Sequence, residues 1–95
     1  MQSYRPQIIW QGTPVGIFDE PQPDMAYLEG RLLLNQTAAA ASFEAAASQL
    51  NPREVMFNFD KGLKIELQTE DGETTHAVVI ALDGQSLFVR RMAGN

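Results

Sequence analysis

The sequence predicts an α+β fold: an antiparallel, strongly twisted sheet of about six strands with one helix, in the order β-β-β-α-β-β-β. Such a sheet can close into a partly open barrel or roll, with the helix over one face or plugging an end. Three observations carry this expectation. Two Asp-Gly pairs, Asp71-Gly72 and Asp83-Gly84, flank the apolar run Ala77-Val78-Val79-Ile80-Ala81-Leu82. Asp-Gly suits the tight type I′ turn between antiparallel strands, so residues 63–91 read as a three-stranded meander. Thr37–Leu50 is the one segment with a clear 3.6-residue apolar stripe. Residues 7–18 alternate around a Gly-containing turn and read as a further hairpin.

In chain order, Gln7–Phe18 is expected to turn at Gly12-Thr13, with Gly first as in a type II′ turn. Trp10 then faces Val15 and Ile8 faces Ile17, all four on one side. Asp19-Glu20-Pro21-Gln22-Pro23-Asp24 reads as an anionic loop, because two prolines in three residues prevent helix. Met25–Leu34 fits a strand, with Ala26, Leu28, Leu32 and Leu34 on one face and Gly30 marking a bulge or close approach. Its helical alternative places Gly30 in mid-helix, at a cost of about 1 kcal/mol.

The helix Thr37–Leu50 presents Ala39, Phe43, Ala46, Ala47 and Leu50 on one face. Asn35 or Thr37 caps its start and Asn51-Pro52 ends it. One Phe and one Leu among alanines make a thin stripe, so its stability must come from what it packs against. Residues 52–62 read as a connector whose Val55, Met56, Phe57 and Phe59 form a short strand or a cover over the core edge.

With two-residue turns at both Asp-Gly pairs, three rows cross the meander: Leu63-Ile80-Leu87, Ile65-Val78-Val89 and Leu67-His76-Arg91. These rows form the expected core face. The opposite face then carries Ala77, Val79, Ala81, Phe88 and Arg90, half covered by the helix or left for a second copy or a partner. A one-residue slip would exchange the two faces completely.

Composition limits function. The chain has 95 residues, enough for one domain spanning 1–95. Cysteine is absent, which excludes disulfides and thiolate metal ligands. Twelve acidic residues oppose seven basic ones, and the bases Arg5, Arg31, Arg53, Lys61, Lys64, Arg90 and Arg91 are dispersed. A nucleic-acid surface needs clustered cations, so no nucleic-acid partner is expected. No apolar run approaches the ~18 residues of a spanning helix, so no membrane partner is expected either. Met1–Trp10 lacks the apolar core of a signal peptide, which makes the cytoplasm the default compartment.

Chemistry-bearing motifs are sparse. His76 is the only histidine. It would sit at the core rim beside Leu67 and Arg91, with no nucleophile or carboxylate placed to use it. Asp19, Glu20, Asp24 and Glu29 could offer oxygen ligands to a hard cation, yet they lack the spacing of a calcium loop. Neither a phosphate loop nor a nucleophile elbow occurs.

The expected function is therefore a non-catalytic protein-interaction module of a small acidic protein of prokaryotic type. No cofactor is expected, and the partner is another protein or a second copy. The candidate surface comprises Asp24, Met25, Tyr27, Glu29, Arg31, Val79, Phe88 and Arg90. An alternative is binding of a small ligand or divalent cation by the acidic 19–31 segment. A third is an enzyme using Asp24 or Glu29 with His76 for acid–base work.

Overall fold

Six antiparallel strands close into a barrel in the ring order β1-β2-β3-β6-β5-β4. The computed structural model describes residues 4–92; the first three residues of the Met1–Trp10 segment lie outside that range. The strands are β1 (Gln7–Trp10), β2 (Thr13–Asp24), β3 (Tyr27–Leu34), β4 (Leu63–Gln68), β5 (Thr74–Asp83) and β6 (Ser86–Arg91). Between the two meanders lie α1 (Ala38–Ser48), α2 (Pro52–Phe57) and a 3₁₀ turn, Phe59–Lys61. Pairing of β1 with β4 and of β3 with β6 joins the two halves into the ring.

Local chemistry accounts for each element. The first hairpin turns at Gln11-Gly12, not Gly12-Thr13. Both residues have positive φ, 53° and 78°, as a type I′ turn requires. Trp10 therefore pairs with Thr13, and a register shift at Ile8/Ile9 aligns Ile8 with Gly16. The result moves Phe18 inside beside Ile8 and leaves Ile17 half-buried outside.

Residues 19–24 extend β2 and are not a loop. The two prolines are accommodated in two ways. A bulge between Asp19 and Gln22 absorbs Pro21, with Glu20 at φ 46°. Among the described residues, β2 beyond Glu20 has a registered neighbour only in β3, so a missing N–H at Pro23 costs no ladder bond to another described strand. The buried Pro21 presses on Gly30, where an added Cβ would lie 2.7 Å from Pro21 Cα. Gly30 is thus the expected close approach.

The meander differs from its expected register at both turns. The β4–β5 connection is the five-residue loop Thr69–Glu73, closed by Thr69 N–H donating to Glu73 O at 2.9 Å and Gly72 N–H to Thr69 O at 3.0 Å. The Asp71 carboxylate accepts from the Thr69 hydroxyl and from Glu73 N–H, fixing the wider loop. Leu63 then pairs with Val79, Ile65 with Ala77 and Glu66 with His76. The odd-length loop moves Ala77 and Val79 to the inner face. The second turn is Gly84-Gln85, with Gly84 at φ 62° and Asp83 paired to Ser86. A shift between Val79 and Ala81 places Ile80 in a bulge.

Two apolar clusters result. The barrel interior holds Ile8, Val15, Phe18, Leu28, Leu32, Ile65, Leu67, Ala77, Val79, Leu82, Leu87 and Val89. Helix α1 adds Ala40, Phe43 and Ala47 to it. This helix touches β2 and β5, which stand opposite one another in the ring, so it lies across one mouth of the barrel. Phe43 meets Trp10 there, with ring centroids 5.5 Å apart. Thr37 caps α1 by accepting from Ala40 N–H at 3.1 Å.

The second cluster lies outside the wall. Val55 of α2 covers Val78 and Ile80, with Phe59, Phe88 and Tyr27 packed around them. Residues 52–57 form a helix, not a strand. Asn51 caps it by accepting from Arg53 N–H at 3.0 Å, and Pro52 occupies the first turn, where its missing N–H has no intrahelical role. The outer face of β5 is therefore covered by α2, while α1 is occupied at the mouth.

Candidate interaction surface

The outer side of the β3–β6 pair gathers most of the expected surface residues. Tyr27 pairs with Arg90, Glu29 with Phe88 and Arg31 with Ser86. Because side chains alternate along a strand, Tyr27, Glu29 and Arg31 point outward together. Leu28 and Leu32, at the alternate positions of the same strand, point into the barrel. Asp24 is paired with Tyr27 on the other side. Met25 and Ala26 form the two-residue tip joining β2 to β3.

Val79 departs from this set. It is fully buried inside the barrel, opposite Val89 and Leu63. The odd-length β4–β5 loop turned it inward, so it contributes nothing to an exposed surface.

The aromatic part of the wall is self-packed. Tyr27 and Phe88 stack with centroids 5.4 Å apart and planes 10° from parallel. The Arg90 guanidinium lies 4.7 Å from the Phe59 ring centre and 5.9 Å from that of Tyr27. Arg90 Nη1 also contacts Met92 Sδ at 3.6 Å. Its Nε is buried without a hydrogen-bond partner among the described residues. Arg90 therefore acts as a clamp: a weakly hydrated flat cation that joins the 3₁₀ turn to the barrel wall.

Charged residues border this patch. Glu29 accepts from Ser86 Oγ at 3.3 Å. Asp19 accepts from Arg5 Nε at 2.7 Å and Arg31 Nη2 at 3.0 Å. The hydrogen bond from Arg31, aided by Arg5, holds the Asp19 carboxyl below the usual aspartate range against a smaller opposing effect of desolvation. The Asp71 carboxyl is likewise lowered, chiefly by the Thr69 hydroxyl.

The hairpin tip is the least conventional part. Met25 has φ 59° and is 88% exposed. Its carbonyl accepts from the Arg91 guanidinium, and Ala26 O accepts from Arg91 N–H at 2.7 Å. The backbone of the tip is thus held while the Met25 side chain extends into solvent.

The acidic 19–31 segment does not converge. Asp19 is engaged by two arginines, and Glu29 by Ser86. No group of three His, Asp or Glu side chains suited to a metal ion occurs among the described residues. His76 is exposed on the outer wall, not at the core rim, and its Nδ1 lies 3.9 Å from Glu66 Oε2. Its strand is separated from that of Glu29 by β6, and from that of Asp24 by β6 and β3. The pairings place Glu29 roughly 15–20 Å from His76 by strand geometry, beyond shared proton transfer.

Other open surface includes a cleft and a groove. A cleft of about 770 Å³ lies between Tyr4, Arg5, Ile17 and the Thr69–Glu73 loop. Burial raises the Tyr4 phenol above its ordinary value, opposed by Arg91 and reinforced by Glu73. A groove of about 560 Å³ is lined by Arg53, Glu54, Phe57, Asn58 and Lys61. Phe57 is 94% exposed and Met56 44% exposed. The expectation that residues 52–62 pack over the core holds for Val55 and Phe59 only. The Asn51-Pro52 start signal implies a helix, and helical spacing would have separated Val55 and Phe59 from Met56 and Phe57.

The chain matches no protein-family model, and no curated protein or solved structure matches it significantly. No helix is long and apolar enough to cross a membrane among the described residues.

Proposed function

We propose that the protein is a non-catalytic protein-interaction module that binds through the β2–β3 tip and the adjoining outer wall: Asp24, Met25, Tyr27, Glu29, Arg31, Phe88 and Arg90. The observation that carries this reading is Met25, 88% exposed at a positive φ of 59°. Folding alone favours Gly or Asn at that backbone position and a polar side chain at that exposure. Methionine is the opposite on both counts. An unbranched, polarizable side chain held at a tip is well suited to enter a partner's apolar pocket. Charged Asp24, Glu29 and Arg31 would form the polar rim of that contact.

The barrel interior supports the same reading. An eight-stranded barrel has an interior just wide enough for packed side chains or one small ligand, and a six-stranded ring is narrower still. This six-stranded ring is filled from within and covered at one mouth by Phe43. Binding therefore belongs to the outside of the molecule.

The test is a photo-cross-linking amino acid placed at position 25 in the source cells. The expected result is a discrete protein adduct, suppressed by excess wild-type protein and not by Met25→Gly protein. The same cross-linker at Ser48, on α1, serves as the comparison and gives none. An adduct pattern at position 25 no different from that at Ser48 refutes the reading. Met25→Gly itself should raise stability by about 1 kcal/mol, because glycine relieves the left-handed backbone.

A further inference from the structure

We infer that the exposed face of α2 is a self-complementary patch that pairs two copies of this chain through Phe57, in a weak two-fold dimer. The inference stands on a different element from the β2–β3 tip.

The folding role of α2 is complete without Phe57. Val55 is buried over Val78 and Ile80, and the following Phe59 lies under the Arg90 guanidinium. The cap by Asn51 and the bond from Asn58 N–H to Glu54 O at 2.9 Å close the helix ends. Phe57 adds none of this, and 94% of its surface faces water. Met56 beside it is 44% exposed. Phe57 is the large apolar side chain of a groove whose other lining residues are polar or charged, the arrangement of an apolar contact with a polar rim.

The charges around Phe57 indicate what covers it. Arg53, Glu54, Asn58 and Lys61 line the groove with it, and exposed Asp60 follows in the 3₁₀ turn. Both signs are present, with an amide between them. A patch of one sign would call for an unlike partner of the other sign. A two-fold contact instead requires that one patch match itself, so that Glu54 of each copy can meet Arg53 or Lys61 of the other. The Lys61–Glu54 pair within one copy is long, 3.4 Å, and both side chains are more than half exposed. It can therefore be exchanged for pairs between copies at little cost. The phenylalanines would meet at the axis, where paired aromatic rings are favoured.

Area sets the strength. One phenylalanine with its neighbours covers on the order of 400–500 Å² per copy, about 800–1,000 Å² in total, below the range of stable dimers. The dimer is therefore transient, with Kd in the range of roughly 10–500 μM.

Sedimentation velocity between about 10 μM and 1 mM tests this. The wild type is expected to shift from monomer to dimer across that range. Phe57→Ser should weaken association at least tenfold while leaving the urea midpoint unchanged, because its side chain is solvent-exposed. Glu54→Lys leaves only basic charges lining the groove, and Arg53→Glu with Lys61→Glu leaves only acidic ones. Each variant alone should be monomeric, and an equimolar mixture should form a heterodimer that weakens with added salt. Met25→Gly should dimerise like the wild type. A wild type that stays monomeric at about 1 mM overturns the inference. So does a dimer indifferent to Phe57→Ser, or failure of the mixed variants to associate. None of these outcomes bears on the β2–β3 tip.

Discussion

Val79 separates the observed register from the one that two-residue Asp-Gly turns would impose. In the structure it is fully buried, packed inside the barrel with Leu63 and Val89 paired to it. In the alternative register it would lie on the outer face. Val79→Ala removes two methyl groups, a transfer loss of about 1.6 kcal/mol. The residual cavity adds about 1 kcal/mol, because neighbouring strands in a closed ring relax only partly. A total of about 2–3 kcal/mol is expected. With a urea slope of about 1.5 kcal/mol/M, the midpoint should fall by roughly 1.3–2 M. Equilibrium urea unfolding followed by Trp10 fluorescence measures it directly, since Trp10 packs against the same cluster. A loss below about 0.5 kcal/mol would be that of a surface site and would refute the register. Ile80→Ala, with an expected cost of about 2–5 kcal/mol, makes no such distinction: Ile80 is fully buried under α2 on the outer wall.

Gly30→Ala would place a methyl group 2.7 Å from Pro21 Cα and 3.1 Å from Phe18 Cε1, and should cost about 1–3 kcal/mol by the same assay. A neutral effect would mean that the β2 bulge is free to move. Arg90→Ala should cost about 1 kcal/mol, and Arg90→Lys should recover only part of it, because an ammonium cannot stack between Phe59 and Tyr27. Thermal melts of the two variants check this, and full recovery by lysine would exclude a stacking role. Acid unfolding reports on Asp19. Its folded pKa is depressed, so its contribution is present above the ordinary aspartate value of about 3.9 and is lost as pH falls through the lower folded value. Asp19→Asn should therefore flatten the fall in stability below about pH 4, and an unchanged slope would mean the two arginines do not hold the carboxylate in solution.

The parts legible in the sequence were those decided within a few residues. Thr37 marks the start of α1, and the Phe43 stripe identifies its buried face. The strand character of Met25–Leu34, with Leu28 and Leu32 inward, follows from alternation. Seven of the eight candidate surface residues fall on the β2–β3 tip or the β3–β6 wall, since the same alternation determines their side. Val79 was misplaced because its side depends on loop length. Asp71-Gly72 signals a turn, but the Thr69–Glu73 hydrogen bonds make that turn five residues long. One residue of slip exchanges the two faces of β5. Pro21 and Pro23 misled in a similar way, because a bulge and a one-sided strand accommodate residues that a central strand would reject.

The sequence by itself determined two β meanders around a helix, a chain without cysteine and a net charge of -5. Those properties reside in composition, periodicity and turn residues, which act locally. Only the tertiary structure decided that the meanders close into a ring, that α1 spans its mouth and that α2 seals the outer wall. These depend on pairings between β1 and β4 and between β3 and β6, residues far apart in the chain. No local signal specifies such pairings; the burial of all the inward side chains together selects them. The same closure fills the interior and leaves Met25 and Phe57 as large apolar side chains outside it.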